Sequence, residues 1–140
     1  MILVSHRGNI SGPIPERENH PDYIKEALSK GYDVEVDIWG DKELWLGHDK
    51  PQYKCSVSFL INNYQKLWIH CKNLMAIDIL SEFKVLNYFW HQNDDHTLTS
   101  KNFIWTYPGK HVCNKSILVV DDAREYAGPI CFGLCSDYLK

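Results

Sequence analysis

The sequence predicts an α/β chain folded as a reduced, TIM-barrel-like parallel β/α barrel in which several outer helices are shortened or missing. Three observations predict it. Over the first half, strand-like apolar runs alternate with helix-like segments, the order that gives parallel sheets. Over the second half, apolar runs follow one another with connections too short for crossover helices, which normally need a dozen or more residues. The chain has 140 residues, against roughly 200 or more for an ordinary barrel of this type, so turns must replace outer helices.

The elements follow in order. Ile2-Leu3-Val4 is a first strand that runs into Ser5-His6-Arg7-Gly8. Pro21 suits the first turn of a helix with Ile24, Ala27 and Leu28 on its apolar face, and Gly31 can end it. From Asp33 to Trp39 the residues alternate, so Val34, Val36 and Ile38 share one face of a strand and Glu35 and Asp37 the other. Leu44 to Gly47 reads as an extra hairpin strand near the barrel mouth. A second helix is predicted over Ser56 to Gln65, with Val57, Leu60, Ile61 and Tyr64 at helical spacing. Leu67 to Lys72 is the next strand. A third helix follows Asn73 as N-cap and buries Leu74, Ile77 and Leu80, with Phe83 next in the series.

Val85 to Trp90, Phe103 to Thr106, Ile117 to Val120 and Cys131 to Cys135 then read as buried strands. Seven barrel strands result, and the eighth has no candidate. A barrel stripped of helices exposes apolar wall, which commonly becomes an interface; a homodimer contact, or the Pro108 to Asn114 segment lying across the gap, is expected to cover it. No repeat, low-complexity stretch or linker divides the chain, so one domain over residues 1–140 is expected.

Composition narrows the class. Fifteen basic and eighteen acidic residues give a net charge of −3, with no basic cluster of the kind that tracks a nucleic-acid backbone. No stretch is apolar enough to span a membrane, and a strand beginning at residue 2 leaves no room for a signal peptide. Cys55, Cys71, Cys113, Cys131 and Cys135 are odd in number and lack the paired spacing of a structural zinc site. They read as free thiols of a cytoplasmic protein.

The most informative feature is the pair Glu35 and Asp37. Two carboxylates on one strand face repel and raise one another's pKa unless a metal or a basic group neutralises them. An exposed edge strand with a solvated acidic face is the plain alternative. The surroundings argue against it: His6 and Arg7 end the first strand, and His48-Asp49 follows the hairpin strand. Two histidines, an arginine and a carboxylate pair suit phosphoryl transfer. One histidine takes a proton from the nucleophile, the other gives one to the leaving oxygen, and Arg7 and a metal carry the phosphate charge.

The order His6-Arg7-Gly8, Glu18-Asn19, Gly31-Tyr32-Asp33-Val34-Glu35-Val36-Asp37 and His48-Asp49 resembles the glycerophosphodiester phosphodiesterase family. The matching elements span roughly the first third of the chain. The resemblance implies a barrel phosphodiesterase with His6 and His48 as acid and base, Arg7 on the phosphate, and Glu35 and Asp37 on a divalent ion such as magnesium, calcium or manganese. It also implies a small phosphodiester as substrate. The family's next strand usually carries Glu-x-Lys; here Leu67-Trp68-Ile69-His70-Cys71-Lys72 keeps the lysine and puts His70 in place of the third acidic ligand. His70 and Lys72 share a face. His70 is then either a metal ligand or a histidine hydrogen-bonded within the wall.

Other strands also end in polar residues. His91 and Asp137 are the better functional candidates among them, Ser136-Asp137 resembling the Thr-Asp with which the family often closes. Trp105 and Tyr107 read equally as a wall for the alcohol portion of a substrate or as core. Asp94, Asp95, Asp121 and Asp122 fit ordinary turns. Nucleophilic thiol or hydroxyl chemistry is disfavoured, because His70 and Cys71 point to opposite strand faces and no G-x-S-x-G turn is present. A metal-dependent phosphodiester hydrolase is the first expectation. A noncatalytic phosphate or phospho-ligand binding barrel is the alternative, and a purely structural role leaves the polar constellation unexplained.

Overall fold

The computed structural model describes residues 1–140 and is an α/β fold with one mixed sheet of ten strands and few helices. The strands are β1 (Ile2–His6), β2 (Asp33–Gly40), β3 (Leu44–Leu46), β4 (Tyr53–Cys55), β5 (Leu67–Cys71), β6 (Tyr88–Trp90), β7 (His96–Leu98), β8 (Ile104–Thr106), β9 (Ser116–Val119) and β10 (Gly133–Ser136). Three α-helices, α1 (Pro21–Ser29), α2 (Val57–Asn62) and α3 (Leu74–Leu80), lie between strands of the first half. No helix is long and apolar enough to cross a membrane.

Seven strands are parallel in the order β6-β5-β2-β1-β10-β9-β8, and they are the seven apolar runs that the sequence marks as wall. β3 and β4 form an antiparallel branch on the far half of β2, where Leu44 to Gly47 was expected to form a hairpin. The expectation of a parallel barrel is corrected: the sheet is mixed and open. Beyond β8 it continues into β7, antiparallel to β8, because the link from β7 to β8 is a tight turn closed by Thr99 N–H donating to Phe103 O at 2.8 Å. Such a turn makes a hairpin and cannot make a parallel crossover. No ladder joins β7 to β6, so the sheet is open there. Its ends are tied by the Thr97 hydroxyl donating to Trp90 O at 2.7 Å and by Ser100 N–H donating to Tyr88 O at 2.8 Å. The Pro108 to Asn114 segment does not span the gap; it runs from β8 to β9, and His96 Nε2 meets His111 O at 2.8 Å.

Three apolar clusters make up the core. Val34, Val36, Ile38, Leu67, Ile69 and Cys71 point outward and are buried against Ile24 and Ala27 of α1, Leu60 of α2, and Ala76 and Leu80 of α3. Val4, Trp68, Phe89, Trp105, Ile117 and Cys135 form a second cluster on the face that carries Glu35, and Leu118, Cys131 and Leu134 a third, smaller one. The helices are shorter than the periodicity suggests. Tyr64 lies beyond α2 in a single 3-10 turn, and Asn63 closes the helix by donating its side-chain amide to Phe59 O at 2.8 Å. Asn73 caps α3 as expected, accepting from Ala76 N–H at 3.0 Å. Leu74, however, is 75% exposed, and Ala76 and Leu80 supply the buried face. Gly40 explains the shift: a Cβ there would lie 2.6 Å from Ala76 N, so the helix start rests directly on the strand backbone and its first residue is turned outward.

Candidate active site

The carboxyl ends of the parallel strands converge on one cavity of about 490 Å³. The register does most of the assembly. β1 against β2 pairs His6 with Glu35, and β2 against β5 pairs Asp37 with His70, so the four side chains project as neighbours from three adjacent strands. His6, Arg7, Glu35, His48, His70 and Lys72 line it together with Trp90, His91, Trp105 and Tyr107.

The carboxylates are deep. Glu35 is 3% exposed and Asp37 fully buried, which excludes the solvated acidic edge. Asp37 accepts from the Asn19 side-chain amide at 2.8 Å, and Asp37 N–H donates back to Asn19 Oδ1 at 2.9 Å. Arg7 Nε lies 3.1 Å from Asp37 Oδ2 and Lys72 Nζ 3.8 Å from Asp37 Oδ1. Burial alone would push the Asp37 carboxyl up, but the protonated form of His70, with Arg7 and Asn19, holds it down at about 2. Burial, and then the charge on Asp37, raise Glu35 above the ordinary carboxylate range.

Glu35, Asp37 and His70 each present a ligand atom within 4.8 Å of the others, and two observations fit them to a cation. Glu35 Oε2 and Asp37 Oδ1 are buried without a hydrogen-bond partner, a costly condition for carboxylate oxygens. His70 Nε2 lies 2.9 Å from His91 O, and a carbonyl only accepts, so Nε2 carries a proton. Nδ1 is then the ring atom that faces Asp37 Oδ1 at 3.2 Å and Glu35 Oε1 at 3.9 Å. An imidazole whose second nitrogen donates to a backbone carbonyl is the usual arrangement of a metal-bound histidine. The residues therefore fit a divalent ion.

Two further histidines are each oriented by an aspartate. His6 Nδ1 donates to Asp137 Oδ1 at 2.8 Å, with Nε2 3.9 Å from Glu35 Oε2. Burial lowers the basicity of His6, but the Asp137 hydrogen bond and the Glu35 charge outweigh it, and its pKa is raised. Burial likewise would raise Asp137, but its contacts with His6 and Asn9 bring it below the ordinary range. His48 Nδ1 meets Asp49 Oδ1 at 2.8 Å. Its backbone is set by Gly47, where φ is +152° and a Cβ would lie 2.0 Å from Lys50 O.

Of the residues that the sequence singles out, His6, Arg7, Glu35, His48, His70, Lys72, His91, Trp105 and Tyr107 line the cavity, and Asp37 and Asp137 do not. His91 lines the cavity with Nδ1 buried and unpartnered, and burial followed by the charge on His70 lowers its pKa. Trp105 is both floor and core: it is 4% exposed and stacks on Phe89 with ring centroids 4.6 Å apart. Tyr107 stands half-exposed above it. Asp137 sits behind His6. Cys71 lies in the outer core, its thiol pushed up to about 12 by burial, so it is no nucleophile.

Asn9 and Trp90 carry parts that sequence reasoning missed. Asn9 donates to both Glu18 Oε1 and Asp137 Oδ1 at 2.9 Å, and Glu18 accepts from Arg7 Nη1 at 3.2 Å. The Glu18-Asn19 pair thus acts as a brace, Glu18 on Arg7 and Asn19 on Asp37. Its signal was present in the sequence only as part of the family pattern. Asn19 is fully buried at φ +63°. Asn19→Ala is expected to destabilise the protein by about 2–3 kcal/mol, since it strands buried polar groups of Asp37, and to weaken divalent-ion binding roughly tenfold or more. Urea unfolding and calorimetric metal titration would measure the two.

Comparison of the chain with protein-family models, with curated proteins and with solved structures finds no match.

Proposed function

We propose that this chain is a metal-dependent phosphodiester hydrolase of the glycerophosphodiester phosphodiesterase kind, built on a reduced barrel left open beside β7. The observation that carries the reading is the pair of aspartate-held histidines, His6 with Asp137 and His48 with Asp49, lining one cavity with the Glu35 and His70 members of a cation-fitting triad. A divalent ion on Glu35, Asp37 and His70 supplies Lewis-acid charge to the phosphoryl group.

The protein's own groups account for the rest. Asp137 fixes the His6 proton on Nδ1, so Nε2 is the atom that accepts a proton from the attacking hydroxyl. Asp49 likewise holds His48 through Nδ1, and the imidazolium form of His48, whose side chain is 40% exposed, would give its Nε2 proton to the leaving alkoxide. Arg7, braced by Glu18, and Lys72 bear on the phosphate charge. His91, Trp105 and Tyr107 also line the cavity and would provide the surface against which the alcohol portion rests. The cavity admits a small phosphodiester.

A second reading, phospho-ligand binding without turnover, is favoured by one observation. Arg7 and Lys72 already reach Asp37, so cations balance that buried carboxylate without an added ion. An aryl phosphodiester separates the two readings. Wild-type protein with a divalent ion is expected to release the phenolate, and His48→Ala to lower turnover of a glycerophosphodiester by roughly a hundredfold or more, with a smaller loss on the aryl ester, whose leaving group needs no proton. Saturable binding of inorganic phosphate with no release of phenolate under any ion would favour the second reading.

A further inference from the structure

We infer that the ion held by Glu35, Asp37 and His70 is a divalent transition metal of the manganese-to-zinc kind, selected over magnesium and calcium by a nitrogen ligand that the fold locks in place. The inference rests on the metal site proposed above and concerns which ion it takes.

The lock has two parts. His70 Nε2 is tied to His91 O at 2.9 Å, which fixes the rotation of the ring and leaves Nδ1 as the one ring nitrogen on which a metal ion can replace a proton. The ring also lies flat on Phe89, with centroids 5.2 Å apart and planes 6° from parallel, and Phe89 is itself stacked on Trp105. The ring cannot swing out without breaking both contacts, so Nδ1 is held toward Asp37 Oδ1 and Glu35 Oε1. A lone pair facing a carboxylate oxygen at 3.2 Å is repulsive unless a cation, a proton or a metal ion, lies between them.

The donor set decides the kind of metal. Magnesium and calcium take oxygen ligands almost exclusively, and calcium collects six to eight of them. This centre offers two carboxylates and one imidazole. Glu35 Oε2 and Asp37 Oδ1, both buried and unpartnered, are the oxygens available to the ion. Borderline ions accept such a mixed nitrogen and oxygen set, and the backbone acceptor on Nε2 raises the ring's strength as a ligand.

The test is metal binding, read without reference to turnover. Chelator-stripped wild-type protein is titrated separately with manganese, magnesium and calcium chloride by calorimetry, and the manganese-loaded protein is examined by pulsed electron paramagnetic resonance for coupling to an imidazole nitrogen. Manganese is expected to bind roughly tenfold to a hundredfold more tightly than either hard ion. Nitrogen coupling should be present in the wild type and lost in His70→Gln, and His70→Glu should shift preference toward magnesium and calcium. Equal or tighter binding of magnesium or calcium by the wild type, or absence of nitrogen coupling in it, overturns the inference even if neither variant folds. Coupling that survives His70→Gln overturns it as well. Selective, nitrogen-coupled manganese with no phosphodiester cleaved would sink the proposed function and leave this inference standing; magnesium-selective binding with hydrolysis would do the reverse.

Discussion

Asp37→Ala is expected to abolish divalent-ion binding and to lower phosphodiester hydrolysis by about a thousandfold or more, the scale of losing a main source of electrostatic stabilisation. Asp37 is the hub of the site: Arg7, Asn19, His70 and Lys72 all reach its two oxygens or their immediate neighbourhood. Removing it leaves half-buried Lys72 without a carboxylate partner and Arg7 with Glu18 alone, so the fold should also lose about 3 kcal/mol. Asp37→Asn keeps the shape and removes the charge, which separates the two effects. Wild-type protein should gain thermal stability with added manganese as RT ln(1 + [L]/Kd), and Asp37→Asn should gain little or none. An unchanged metal-induced shift in Asp37→Asn would place the ion elsewhere.

His6→Ala should lower turnover by roughly a hundredfold or more while leaving the fold intact, and its partner gives a sharper test. The hydrogen bond from Asp137 and the charge of Glu35 raise the His6 pKa above the ordinary 6.5 against the opposing effect of burial. A base must be unprotonated, so the rate should rise with pH as His6 loses its proton. Asp137→Asn removes the leading cause of the upward shift. The acidic limb of kcat/KM should then move to lower pH while the maximum falls. The same pair affects stability. His6, raised on folding, contributes stability that is complete below its unfolded pKa and lost as pH rises through the folded one. Asp137, lowered on folding, contributes stability that is present above its unfolded value and lost as pH falls through the folded one. Their joint support is therefore greatest between about pH 4 and pH 6.5. An acidic limb unmoved in Asp137→Asn would separate that aspartate from the reacting histidine.

The strand faces of the site were legible because a period of two is a local property. Glu35 and Asp37 had to share a face, as did His70 and Lys72, whatever the sheet did next. What brought the two pairs together was the register of β2 on β5, which pairs Asp37 with His70 and which no local pattern specifies. Asn9 and Asn19 were harder to see. Their roles depend on the turns after β1 and before α1, where Arg7 and Asn19 take positive φ and the chain doubles back so that short side chains reach Asp137 and Asp37. β7 was missed because His96-Thr97-Leu98 is short, has both ends exposed and lacks an apolar run. Its place is set by the tight turn to β8. Leu74 was expected in the core because helical spacing was counted without the close seat that Gly40 gives Ala76.

The central claim is hydrolysis of a phosphodiester by paired histidines on a metal-binding rim. Phosphorus NMR of a glycerophosphodiester incubated with the manganese-loaded wild type, His6→Ala and His48→Ala proteins tests it most directly. The account predicts conversion of the diester resonance to a phosphomonoester by the wild type, and conversion slowed by roughly a hundredfold or more in each variant. An unchanged diester resonance in protein shown to have bound manganese, across glycerol, cyclic and aryl phosphodiesters, would contradict it.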